Sequence, residues 1–183
     1  VVVDPPGPAL TRPVVLVGLS GSGKSTVAPL LARRLGVCVV DLDGRIEVET
    51  GRRVAEIFAD SGEPGFRRAE LDALRSVLAE VPSVVAAGGG VVCTPAARAL
   101  LARDAVVIWL DAPDEVLLGR LDDPRAPRPL LRDDPTTTLR RLRREREAWY
   151  AEVADVRISA GHLDPLQVAE AVLAELSTIG AVP

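Results

Sequence analysis

Methionine, lysine, histidine and cysteine are absent or nearly so: the 183 residues hold no methionine, one lysine (Lys24), one histidine (His162) and two cysteines (Cys38 and Cys93). Two thiols with no C-x-x-C spacing exclude a disulfide framework and argue against zinc; both are expected to be buried, reduced and to act as small hydrophobes. Without methionine, Val1 reads either as the product of an alternative start codon or as a residue downstream of the true start. No apolar run approaches the roughly 20 residues needed to span a bilayer. Residues 1–13 (VVVDPPGPALTRP) also lack the basic then apolar order of a secretion signal, so the expected location is cytoplasmic, with no membrane partner. Excess positive charge is missing too. The balance of 22 basic against 26 acidic residues, a net −4, argues against nucleic acid as a partner and means that any anion is held locally.

What is present, 48% hydrophobic and 26% charged residues, is typical of a soluble globular protein. This length suits one domain that buries roughly 70% of the surface its unfolded chain exposes. Residues 1–13 read as a flexible Pro-rich tail and 14–183 as the domain. Short apolar runs suited to parallel strands covered on both faces recur at 14–18 (VVLVG), 37–43 (VCVVDLD), 83–90 (SVVAAGGG), 105–111 (AVVIWLD) and, more weakly, 154–159 (ADVRIS). Segments with helical periodicity separate them, which predicts an α/β fold. Val27, Leu30, Leu31 and Leu35 mark a first helix; Phe66, Ala69, Ala73, Val77 and Val81 mark a long one, and shorter helical stretches fill 43–60. Pro135 behind Asp134 and Pro165 behind Asp164 each read as a first helical residue after an N-cap, opening helices over about 135–150 and 165–178. Residues 122–134 (DDPRAPRPLLRDD) carry three prolines and no periodicity, and read as a mobile lid. From Arg120 to Glu147 nine arginines stand beside six acidic residues, which is either a solvated, salt-bridged surface or an anion-handling one.

Residues 18–25 (GLSGSGKS) match G-x-x-x-x-G-K-[ST] directly after a buried strand and directly before an amphipathic helix. In such a loop glycines let successive backbone N–H groups and the helix N-terminus face phosphate oxygens. Gly21, Ser22, Gly23, Lys24, Ser25 and Thr26 are therefore the expected ATP contacts, with Lys24 on the β- and γ-phosphates and the Ser25 hydroxyl on Mg²⁺. Every other basic side chain except His162 is arginine, so a lone lysine at this position points to a need for a compact ammonium.

Strand two ends in Asp41-Leu42-Asp43, whose carboxylates share one side if the chain stays extended. Asp41 is a candidate for Mg²⁺ through water and Asp43 for taking the proton of an acceptor hydroxyl. A polar strand end that caps the next helix explains the pair equally well. Arg67 and Glu70 are helical neighbours, so the carboxylate orients the guanidinium, although surface pairing has the same spacing. Leu139, Leu142 and Arg146 follow one apolar stripe, which points Arg146 inward where it needs an anion, and leaves Arg140, Arg141 and Arg144 outside. Gly88, Gly89 and Gly90 end strand three and permit close approach of a ligand to backbone donors. Arg128, within the lid, is placed where closure carries it onto a transferring phosphoryl group. Asp111 imitates a second Mg²⁺-binding acid but reads better as a capping or loop residue, and His162 as a surface loop residue without chemistry.

The P-loop, the D-x-D, TGR (50–52), IFADSGEPGFRRAE (57–70), the triple glycine, RPLL (128–131) and YAEVAD (150–155), in that order, closely resemble the shikimate kinase family over about residues 14–178. The resemblance implies a three-layer P-loop kinase fold: a five-stranded parallel sheet of order 2-3-1-4-5 with helices on both faces and a mobile lid. It also implies a monomer that transfers the ATP γ-phosphate to the 3-hydroxyl of shikimate in aromatic amino acid biosynthesis. By matching position, Asp43 contacts the acceptor hydroxyl, Arg67 and Arg146 clamp the shikimate carboxylate, and Glu70 steadies Arg67. Gly89 and Gly90 give backbone contacts, Ser25 and Asp41 serve Mg²⁺, Arg128 is the lid arginine and Arg120 packs on adenine. Departures are Pro29, expected to cost about 3 kcal/mol or kink the first helix, Leu42 between the aspartates, Ala87 before the glycines and EAWY at 147–150. The competing readings are a kinase of another hydroxy acid such as gluconate, and a nucleotide-dependent switch or binding module.

Overall fold

The computed structural model describes residues 10–121 and 134–182. The expected lid with Arg128, save its last residue Asp134, and all but the end of the expected tail lie outside these. The chain runs β1 (Val14–Val17), α1 (Lys24–Leu35), β2 (Cys38–Asp41), α2 (Leu42–Thr50), α3 (Val54–Leu78), β3 (Ser83–Ala86), a 3₁₀ turn (Val91–Cys93), α4 (Pro95–Asp104), β4 (Val106–Asp111), α5 (Asp114–Leu121), α6 (Pro135–Val153), β5 (Val156–Ser159) and α7 (Pro165–Thr178). All pairings are parallel, in the order β2-β3-β1-β4-β5. Among the described residues, no helix is long and apolar enough to cross a membrane.

The inner strands are apolar throughout because successive residues point to opposite faces and both faces are covered. Val15, Val17, Val85, Val107 and Trp109 join one core with residues of α2 to α6, while Val14, Leu16, Val84, Ile108 and Leu110 join a second with α1 and α7. The edge strands differ. In β5 only Val156 and Ile158 are buried. In β2 Val39 is 46% exposed and Cys38 is exposed, so the expectation of two buried thiols fails: Cys93 is half-buried, and both cysteines are free. An edge strand has a neighbour on one side only, which is why an apolar sequence did not guarantee cover.

Strand two stops at Asp41, two residues before its expected end. Asp41 becomes the N-cap of α2, its Oδ1 accepting from the Gly44 N–H at 3.0 Å, and Asp43 lies in the first helical turn rather than beside Asp41 on an extended strand. Of the stretch 43–60, expected as shorter helices, residues 43–50 belong to α2, 51–53 form a turn and 54–60 open the long helix α3. That helix bends at Gly62 (φ 63°, ψ −172°), a conformation open to glycine, and Pro64 follows where the resuming helix tolerates a missing N–H. Val81, expected on the long helix, lies beyond its end and is 72% exposed. Pro29 does not break α1, which runs unbroken with the ring on its exposed side. Asp134 and Asp164 cap α6 and α7 as expected, with Pro135 and Pro165 in the first turns.

Candidate active site

A doubly wound sheet leaves its crevice at the carboxyl ends of the strands where the winding reverses, here between β1 and its neighbours β3 and β4. A cavity of about 690 Å³ opens there. Gly21, Gly23, Lys24, Ser25 and Thr26 line one side, Arg120 stands beside them, and Asp43, Arg67, Glu70, Gly88, Gly89, Gly90 and Arg146 line the other; Ser22 is buried in the loop. Asp41 and Asp111 are not among the lining residues.

The loop after β1 delivers Lys24 to a buried position, where Nζ donates to the Gly18 and Leu19 carbonyls at 2.8 and 2.9 Å and to Ser22 Oγ at 3.3 Å. The ammonium is thus gathered into the loop whose N–H groups would meet phosphate. Arg120 ties this loop to the turn before α7, donating to Gly21 O at 3.4 Å and Ala160 O at 3.1 Å.

On the opposite wall, the Arg67 side chain is largely covered, at 10% exposure, and Glu70 is buried, at 3%, so the two do not form an exposed surface pair. Arg67 Nη1 meets Glu70 Oε2 at 2.6 Å and Nη2 meets Glu63 Oε1 at 3.0 Å, with the guanidinium 5.2 Å over the Phe66 ring. Glu63 was not foreseen, although it lies one helical turn before Arg67. Burial pushes the Glu70 carboxyl up, with Arg67 opposing. Its Oε1 has no hydrogen-bond partner among the described residues.

Arg146 is 8% exposed and donates from Nη1 to Gly89 O at 2.9 Å, while its Nε is buried without a partner among the described residues. Arg140, Arg141 and Arg144 are exposed, as the stripe predicts. The same stripe reaches Tyr150 four residues on, a residue that sequence reasoning left unassigned. Its hydroxyl donates to the same Gly89 carbonyl, and burial pushes the phenol up, so it stays protonated.

The glycines now have reasons. A Cβ on Gly90 would fall 2.2 Å from Arg67 Nη2, and one on Gly88 would fall 3.2 Å from Glu70 Oε1 and 3.3 Å from Asp43 Oδ1. The segment is bare because charged groups pack onto it from both sides. Asp43 faces the cavity; desolvation, then the Asp41 carboxylate, push its carboxyl up against the pull of Lys24 and Arg67.

Asp111 is engaged elsewhere. It pairs with Arg143 at 3.0 Å and Arg157 at 2.6 Å, and although burial works the other way, hydrogen bonds from Arg157 and Arg143 hold its carboxyl low. Arg143 also bonds Asp114 on α5 at 2.6 Å, so the cluster fastens α6 to β4, β5 and α5. His162 is exposed.

Comparison with known proteins gives the family and the fold. The family model described as shikimate kinase matches residues 20–177. A shikimate kinase of Aromatoleum aromaticum is 44% identical over 153 residues, 83% of this chain and 87% of that protein. The structure of a shikimate kinase from Acinetobacter baumannii in complex with shikimate superposes with a TM-score of 0.87 at 33% identity, covering 92% of this chain and 94% of that one. A gluconokinase from Sinorhizobium meliloti reaches a TM-score of 0.57 at 19% identity, covering 93% of this chain and 96% of its own, a likeness of fold alone.

Proposed function

Because the chain belongs to the shikimate kinase family, we propose that its cavity carries out ATP-dependent phosphorylation of shikimate, at the 3-hydroxyl, with Asp43 contacting that hydroxyl and Arg67 and Arg146 gripping the carboxylate. The observation that carries the reading is the pair of guanidinium groups, buried Arg146 and largely covered Arg67, on one triple-glycine segment, facing a P-loop lysine across a single cavity. A buried arginine with an unpaired Nε is costly unless an anion completes it. The ring carboxylate of shikimate is such an anion.

ATP lies along Gly21, Gly23, Lys24, Ser25 and Thr26, with Lys24 as the point charge on the β- and γ-phosphates. Arg120, fixed between Gly21 and Ala160, borders the adenine end. Gly88, Gly89 and Gly90 offer backbone contacts to the acceptor, and Glu70 holds Arg67 in place. The donor set fits Mg²⁺. That ion keeps several waters and needs one or two protein oxygens beside the phosphates, so the lack of a three-ligand cluster among the described residues is no obstacle. Ser25 lines the cavity and its hydroxyl would hold the ion, with Asp41 through water, and the ion would neutralise charge on the phosphates. Asp41 meanwhile caps α2 through Oδ1.

Since the transition state of phosphoryl transfer is loose, these residues act mainly by placing the reactants and offsetting their charge. ADP release measured with shikimate, with gluconate and with no acceptor tests the reading. Turnover with shikimate alone is expected; turnover with gluconate instead, or equal hydrolysis without acceptor, overturns it.

A further inference from the structure

Tyr150 opens the YAEVAD run and takes no part in the roles above. Its ring is 1% exposed and stacks on Trp109 with centroids 5.7 Å apart, packing that phenylalanine would reproduce. The hydroxyl does something more. It donates to the Gly89 carbonyl oxygen that Arg146 Nη1 also reaches at 2.9 Å, so two donors occupy both lone pairs of one acceptor.

The peptide bonds of the described residues are trans, so a C=O and the following N–H point in opposite directions within the peptide plane. Holding the Gly89 carbonyl against α6 therefore turns the Gly90 N–H to the far side. Among the described residues no hydrogen bond to the N–H of Gly88, Gly89 or Gly90 is found, and all three residues line the cavity. Three glycines in a row have wide backbone freedom. An ideal Cβ on Gly89 would also lie 3.4 Å from Gly18 O and from Ser20 N, so this peptide stands between the P-loop and the acceptor wall.

We infer that Tyr150 is a positioning residue: its hydroxyl, together with Arg146, locks the Gly89–Gly90 peptide so that the Gly90 N–H is held ready for the acceptor. The inference rests on the kinase reading given above. It assigns the tyrosine hydroxyl to acceptor affinity and the tyrosine ring to packing.

Tyr150→Phe in the full chain separates the two. With wild-type protein first shown to turn over shikimate, the variant is expected to raise the KM for shikimate roughly three- to tenfold, as for loss of one hydrogen bond, with the KM for ATP and the Tm close to wild type. Val153→Ala, a buried neighbour on the same helix, is the control and is expected to lower Tm while leaving the shikimate KM unchanged. An unchanged shikimate KM in Tyr150→Phe overturns the inference, and so does an equal rise in Val153→Ala or an equal rise in both KM values of Tyr150→Phe. If Tyr150→Phe is too unstable to assay, amide exchange at Gly90 in the wild type decides: saturating shikimate is expected to slow it, and exchange unchanged by shikimate overturns the inference. Failure of the wild type to use shikimate overturns the kinase reading instead and removes the inference with it.

Discussion

Burial and the Asp41 carboxylate both disfavour the ionised form of Asp43, and together they outweigh Lys24 and Arg67, so this carboxyl titrates above its ordinary 3.8. A raised folded value means that the associated stability is fully present below the unfolded value and is lost as pH rises through the folded one. Asp43→Asn removes that cost. The variant is expected to melt higher than wild type at pH 8, by about 2–4 °C for each kcal/mol recovered, with the difference vanishing near pH 3.5. Its turnover of shikimate should fall by about 10²–10⁴, the usual share of a positioned proton acceptor, with ATP binding intact. A variant that melts lower at pH 8, or keeps wild-type kcat, would remove Asp43 from this role. Gly90 gives a second residue-scale test. A methyl there meets Arg67 Nη2 at 2.2 Å, so Gly90→Ala must displace the guanidinium. Losing a charge-assisted contact of about 1.5–3 kcal/mol should raise the shikimate KM roughly 10- to 150-fold and leave the ATP KM alone; equal effects on both would mean a general collapse of the pocket.

At the scale of elements, Pro29 in α1 leaves the Ser25 carbonyl without its helical donor, yet the helix runs on unbroken. Restoring that donor with Pro29→Ala should raise stability by up to about 3 kcal/mol, less the unfolded-state entropy that proline removes, and kcat should stay within about twofold because the ring is exposed. A lower Tm in a melting curve would show that the proline is better accommodated than its missing bond suggests. The order of strands and helices was legible because the buried parallel strands β1, β3 and β4 are unbroken apolar runs and because Asp134-Pro135 and Asp164-Pro165 mark helix starts chemically. The boundary at Asp41 was not. Leu42 is buried and apolar, so hydrophobicity carries on across the point where the backbone turns from strand to helix. The inward course of Arg146 could be read from its stripe, but nothing in the sequence assigned a role to Tyr150 on the same stripe; it is buried, and only the fold brings its hydroxyl to a carbonyl 61 residues away. Arg67 and Glu70 were legible as a pair, whereas their burial depended on the bend at Gly62 and on the glycines that make room for them.

Across the whole molecule, two cores on opposite faces of one sheet supply stability, and the crevice at the carboxyl ends of β1 and β3 gathers groups that oppose it. Glu70 Oε1 and Arg146 Nε are buried without hydrogen-bond partners among the described residues, and both belong to residues that face the cavity. Apolar burial elsewhere offsets them until a ligand satisfies them. A ligand that binds only the folded chain at a hundred times its Kd adds about 2.7 kcal/mol, which for a chain of this size is roughly 5–11 °C in Tm. Shikimate at that concentration should produce such a rise in the wild type. Replacing Arg146 by methionine removes a half-paired buried charge while keeping much of its bulk, so the unliganded Arg146→Met should melt within about 3 °C of wild type. It should lose the gain from shikimate at the same concentration and keep the gain from ATP. A shikimate-dependent shift that survives in Arg146→Met would place the acceptor carboxylate on some other cation; loss of both shifts would mean that α6 supports the whole crevice rather than its acceptor half.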